Sequence, residues 1–133
     1  MSEESVEIVR CAYAAFNRRD IEAIAAVTDP DLVMDWSRSM GPQRNVYRGR
    51  AGIKEWIVGM DEAFETFEVS PLEFHGSGSR IVVPTRVSGK GRGSGAVVEA
   101  QGATVWELRD GKVVGMTLYQ SRQEALEAAG IQQ

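Results

Sequence analysis

A chain of 133 residues with 43% apolar content is the size of one ordinary domain, too short to give two domains a core each. A net charge of −4, spread along the sequence, offers neither a polyanion-binding surface nor an acidic tail, so nucleic acid is not an expected partner. The first nine residues hold three glutamates and no apolar block, and no apolar run is long enough for a membrane span, so the expectation is a cytoplasmic protein with no membrane partner.

Val6, Val9, Tyr13 and Phe16 recur at steps of three and four, which predicts a first helix over residues 3–18 with acidic Glu3 and Glu4 in its first turn. The single cysteine, Cys11, lies on this helix, where a buried and inert thiol is expected. Asp20 reads as the N-cap of a short second helix carrying Ile21, Ile24 and Val27, which Pro30 keeps from continuing. Residues 32–37, rich in strand formers, predict the first strand.

The polar stretch 39–50 contains Gly41, Pro42 and Gly49 and reads as a loop. Ile53, Trp56, Ile57, Met60, Phe64 and Phe67 then keep helical spacing over four turns, predicting a third helix. Strand and turn patterns follow at 68–75, 80–88, 96–108 and 112–120, joined by Gly-Ser and Gly-rich turns, so four strands form an antiparallel meander. Ser121 and Glu124 have capping-box spacing, and Ala125, Leu126 and Ala129 before Gly130 predict a terminal helix. The helical stripes need one sheet face to cover them, and Gly102 inside the long strand marks a bend toward them. The fold class is therefore α+β, one domain over 1–133, with helices on the concave face of a curved, mostly antiparallel sheet.

Several segments together resemble a known family: Ala12 to Asp20, Asp29-Pro30-Asp31 before a strand, Tyr47-Arg48-Gly49 before the third helix, Trp106 to Val114, and Glu124 to Gly130. The chain is similar to the SnoaL-like branch of the NTF2-like superfamily, which includes ketosteroid isomerases, polyketide cyclases and limonene epoxide hydrolases. The resemblance implies a cone-shaped α+β barrel with a pocket at its open end, often dimerising through the sheet, so a homodimer is expected. In the isomerases a carboxylate base sits late in the first strand, and a tyrosine and a protonated aspartic acid hold the oxyanion. The resemblance places these positions at Trp36, Ala12 and Thr104, none of which matches, and one fold of this kind hosts many activities.

The candidate chemistry is correspondingly narrow. Asp35, between Met34 and Trp36, is the best-placed carboxylate for a base with a raised pKa, against the reading of a solvent-facing or ion-paired aspartate. Tyr13 or Tyr47 would donate the hydrogen bond. Glu99 alternates onto the face opposite Thr104 and Trp106, and His75, the only histidine, reads as a loop-end residue facing solvent. With one histidine and one cysteine no metal is expected, and no cofactor. The Gly-Lys-Gly-Arg-Gly run at 89–93 lacks the Gly-Lys-Ser/Thr ending of a phosphate loop and reads as a flexible hairpin. Phe16, Trp36, Tyr47, Trp56, Met60, Thr104, Trp106, Met116 and Leu118 are the expected walls of a pocket for a small apolar molecule, Thr104 with Trp106 and Met116 with Leu118 by strand parity. That pocket serves either a cofactor-independent isomerase, cyclase or hydrolase or a non-catalytic binding or interaction module.

Overall fold

The computed structural model describes residues 3–41 and 43–131. Pro42, part of the predicted loop, lies outside them. The elements run α1 (Glu3–Arg18), α2 (Ile21–Val27), β1 (Thr28–Asp35), β2 (Val46–Arg48), α3 (Gly49–Ala63), β3 (Phe64–Pro71), β4 (His75–Ser77), β5 (Arg80–Gly91), β6 (Val97–Arg109), β7 (Lys112–Tyr119) and α4 (Arg122–Ala129). The strands form one curled half-barrel in the order β2-β1-β7-β6-β5-β3, with β4 also paired to β5. All pairs are antiparallel except β1 with β7.

Side-chain chemistry sets the helix ends. Asp20 accepts from the Ala23 amide at 3.1 Å and so caps α2. Ser121 accepts from the Glu124 amide at 3.1 Å, and Gly130 closes α4 at φ 74°, a left-handed conformation that favours glycine. Asn17 and Arg19 fix the end of α1 to β3. The Asn17 amide donates to the Val69 carbonyl at 2.8 Å and accepts from the Val69 amide at 2.9 Å. The Arg19 guanidinium donates to the Phe16 and Phe67 carbonyls and to Asp61.

Two apolar cores result, one on each side of the sheet. The larger lies between the concave face and α1, α2 and α3 and contains Val9, Phe16, Trp56, Met60 and Trp106. The smaller packs α4 on the outer face, where Ala125 and Leu126 meet Val82, Ala103 and Val105. Alternation along β6 decides this partition, with Ala103 and Val105 facing out and Thr104 and Trp106 facing in. Fully burying each large apolar side chain contributes about 1.5–3 kcal/mol, so most of the stability comes from the larger core.

The structure corrects several sequence readings. β1 begins at Thr28 and carries Pro30, tolerated because the ladder with β7 is irregular between Thr28 and Val33. The predicted loop contains β2. Helix α3 stops at Ala63, and Phe64 and Phe67 belong to β3. The ladder to β5 slips between Phe64 and Thr66, and Phe64 and Phe67 pair with Gly91 and Gly89 on one face with ring centroids 5.2 Å apart. A bulge thus gives two strand residues the i, i+3 relation that resembles a helix. The expected hairpin is there, but its turn follows Gly91, and Gly89 and Gly91 are strand residues: a Cβ on Gly89 would lie 2.9 Å from the Thr66 carbonyl oxygen and 3.3 Å from the Phe64 ring. Cys11 falls off the buried stripe of α1 and is exposed beside Glu7.

Candidate functional site

Helices α1 and α3, the loop after β1 and the concave face of β3, β5, β6 and β7 surround a cavity with two adjoining parts that share wall residues. The outer part has about 250 Å³ and is walled by residues including Trp36, Met60, Phe67, Ala100, Gly102 and Leu118. A floor compartment of about 30 Å³ lies deeper, against Tyr13, Phe16, Trp56, Thr104, Trp106 and Met116. Trp36, Thr85, Val87 and Leu118 border both parts. None of the residues along either part carries a carboxylate, amine, guanidinium, imidazole or thiol. Hollows of comparable size elsewhere have charged walls, such as that of about 380 Å³ beside Glu68, Lys90 and Glu99.

The aromatic residues hold one another edge to face. Trp56 meets Phe16 at 5.3 Å, Trp36 at 5.0 Å and Phe67 at 6.3 Å between ring centroids, and Tyr13 meets Trp106 at 5.1 Å. Such pairs add roughly 0.5–1.5 kcal/mol each beyond area burial and leave little rotational freedom in the walls.

Beneath them runs a buried hydrogen-bond chain. The Trp106 indole donates to Thr104 Oγ1 at 2.8 Å and to Tyr13 Oη at 3.1 Å, and Tyr13 and Thr104 are 2.5 Å apart. The Val83 carbonyl, 3.4 Å from Thr104 Oγ1, can only accept, so with Thr104 donating to it the Tyr13 hydroxyl donates to Thr104 Oγ1; with the reverse direction Thr104 donates to Tyr13. Burial pushes the Tyr13 hydroxyl up to about 12, against the lowering effect of Thr104 and Trp106. Tyr13, the expected donor, therefore lines the cavity with its hydroxyl hydrogen-bonded to Thr104 and Trp106 inside the protein.

Asp35 is also placed differently from expectation. It follows Met34 and precedes Trp36, both buried on the concave side, so alternation turns its carboxylate outward, beside Arg80, Glu107 and Thr117. Its Oδ1 accepts from the Ser37 hydroxyl at 2.6 Å and amide at 3.0 Å, and Arg38 lies 3.6 Å from Oδ2. The Ser37 hydroxyl above all holds the carboxyl below its ordinary range, the opposite of the raised pKa expected of a base.

Of the nine expected wall residues, Phe16, Trp36, Trp56, Met60, Thr104, Trp106, Met116 and Leu118 border the cavity. Tyr47 does not. It pairs with Met34 at the sheet edge under α3, where Gly52 packs against its backbone, and its hydroxyl donates to Gln43 Oε1 at 2.6 Å. His75 follows the loop 72–74 as the first residue of β4, partly exposed as expected, and it contacts Glu73 at 2.7 Å and Arg122 at 3.3 Å. Val69, Thr85 and Val87 also border the floor; alternation along β5 through Val83, Thr85 and Val87 carries the signal for two of them. Among the described residues no group of three or more His, Cys, Asp or Glu side chains could hold a metal ion, and no helix is long and apolar enough to cross a membrane.

Comparisons with known proteins agree with this architecture. The family model described as SnoaL-like domain matches residues 9–116. Among solved structures, TerC co-crystallised with polyporic acid is 25% identical, with a TM-score of 0.76, covering 94% of this chain and 97% of its own. An NTF2-like protein of unknown function from Burkholderia pseudomallei K96243 is 24% identical, with a TM-score of 0.76 over 96% of this chain and 97% of its own. A protein from Xanthomonas campestris pv. campestris, provisionally called a polyketide cyclase, is 23% identical, with a TM-score of 0.75 over 92% and 93%. No curated protein matches. With the family model spanning most of the chain and the half-barrel formed as that family requires, this protein belongs to the SnoaL-like family of NTF2-like folds.

Proposed function

We propose that the protein binds a small, uncharged, largely apolar molecule in the concave cavity. The observation that carries this reading is the wall itself: aromatic, aliphatic and uncharged polar side chains, the last including Ser39, Gln43 and Gln101, border about 250 Å³ without one formal charge. Apolar enclosure with a few polar groups is the usual form of a small-molecule site, and a charged guest would lose its hydration with no counter-charge to offset the loss. Association of two copies through the sheet, which the family resemblance implies, belongs to the same proposal. Native mass spectrometry of freshly purified protein reads subunit count and any retained molecule together.

The direct test uses N-phenyl-1-naphthylamine, an uncharged probe whose fluorescence rises in apolar surroundings. Saturable one-to-one enhancement is expected. Ala100 lies on the cavity wall yet is solvent-exposed, so Ala100→Trp fills the mouth at small cost to the core and is expected to abolish the enhancement. Undiminished binding by that variant would place the probe elsewhere and defeat the proposal.

A second reading, catalysis on the bound molecule as a cofactor-independent isomerase, cyclase or hydrolase, draws support from the neighbours called polyketide cyclases. The walls supply no base for it, so the protein's part would be to hold a flexible substrate in its reactive conformation. Chemical change in a molecule recovered after incubation with the wild type, and not with Ala100→Trp, distinguishes turnover from binding.

A further inference from the structure

The three tryptophans of this chain differ in what their indole N–H groups do. Trp106 donates to Thr104 and Tyr13. The indole nitrogens of Trp36 and Trp56 are buried and have no hydrogen-bond partner among the described residues. Both side chains border the floor compartment, their rings 5.0 Å apart, and Trp36 also borders the outer part of the cavity. A buried donor without an acceptor is unfavourable and uncommon, and two of them beside one vacant space point to an acceptor that arrives from outside.

We infer that the Trp36 and Trp56 indoles receive an uncharged carbonyl-type oxygen of the bound molecule in the floor compartment, while its apolar body fills the outer cavity. This inference rests on the binding reading above and adds the chemical class of the ligand. The floor, about 30 Å³, has room for one oxygen atom and little more. An ammonium group would find no carboxylate there and would leave both N–H groups unpaired. A carboxylate or phosphate would find no cation. A neutral acceptor meets both conditions.

The test compares 2-acetylnaphthalene with 2-ethylnaphthalene, which share a frame and differ by the carbonyl oxygen. In protein labelled with nitrogen-15 the three indole N–H resonances are assigned with Trp36→Phe and Trp56→Phe. On addition of 2-acetylnaphthalene the Trp36 and Trp56 resonances should move downfield while Trp106 holds still, and the ketone should bind on the order of tenfold more tightly than the hydrocarbon. In Trp36→Phe that preference should shrink while the hydrocarbon still binds. Equal affinity for the two probes with unmoved indole resonances would overturn the inference and leave the apolar pocket standing. Failure of both probes to bind in the saturating range would remove the inference and the binding reading together.

Discussion

Replacing Thr104 with valine isolates the buried chain that joins α1 to β6. Thr104 is 3% exposed, and valine keeps its shape while removing the oxygen that accepts from Tyr13 and Trp106. Trp106 retains Tyr13 Oη as acceptor at 3.1 Å, but the Tyr13 hydroxyl, fully enclosed, loses the acceptor of its own proton. Leaving one buried donor unpaired costs roughly 1–3 kcal/mol, so Thr104→Val should destabilise the fold by about 2 kcal/mol. For a chain of this length that corresponds to a fall in Tm of roughly 7 °C. Tyr13→Phe removes the hydroxyl itself and leaves Thr104 with both the Trp106 donor and the Val83 acceptor, for a smaller cost of about 1 kcal/mol. In the valine background the same change removes the stranded hydroxyl but also the last acceptor of the Trp106 indole, so one unpaired donor replaces another. The double variant should therefore be about as stable as Thr104→Val, a non-additivity of about 1 kcal/mol. Urea unfolding at constant m-value reads all four proteins. A Thr104→Val cost below about 0.5 kcal/mol, or strict additivity, would refute the assignment of the Tyr13 proton to Thr104.

Two further outcomes follow from ionisation. The Tyr13 hydroxyl stands at about 12 against 10.0 in the unfolded chain, so its contribution is complete below pH 10 and is lost as pH rises toward 12. A rise of about two pH units is worth roughly 3 kcal/mol, and urea titrations between pH 9 and 12 should show a loss of that order which Tyr13→Phe reduces. Asp35 behaves in the opposite sense: its lowered pKa gives stability present above the ordinary carboxylate range and lost as pH falls through the lowered value. Because the carboxylate faces outward, Asp35→Asn should cost under about 1 kcal/mol and leave the affinity for N-phenyl-1-naphthylamine unchanged. A severalfold loss of affinity would show that Asp35 reaches the cavity after all.

Regular alternation was legible in the sequence. Thr104 with Trp106 and Met116 with Leu118 read correctly as inward because the pleat repeats every two residues and no bulge interrupts those stretches. Local chemistry was equally legible at the caps of α2 and α4. Positions governed by distant pairing were not. Phe64 and Phe67 imitate a helical step because a bulge against β5 shifts their phase. Tyr47 has the composition of a pocket wall, yet the short β2 ladder to β1 puts it beneath α3. The Gly-rich run does hold the β5–β6 turn, but its start belongs to β5, because Phe64 and Phe67 need the space that Gly89 leaves.

The same offset of one residue has unequal consequences on a helix and on a strand. The family resemblance puts its tyrosine position at Ala12, and here the tyrosine is Tyr13. On α1 one residue is a turn of only about 100°, which both positions accommodate within the buried arc, at 0% and 4% exposure. Tyr13 consequently reaches Thr104 despite the offset. On β1 one residue reverses the side chain, so Asp35 leaves the cavity entirely and Trp36 occupies the inward place that the resemblance gives to the base. This exchange replaces a proton acceptor with an N–H donor. The proposed selection of a guest by shape and by the oxygen it presents to Trp36 and Trp56 follows from this exchange, because the inward position now offers a donor where a base would have accepted.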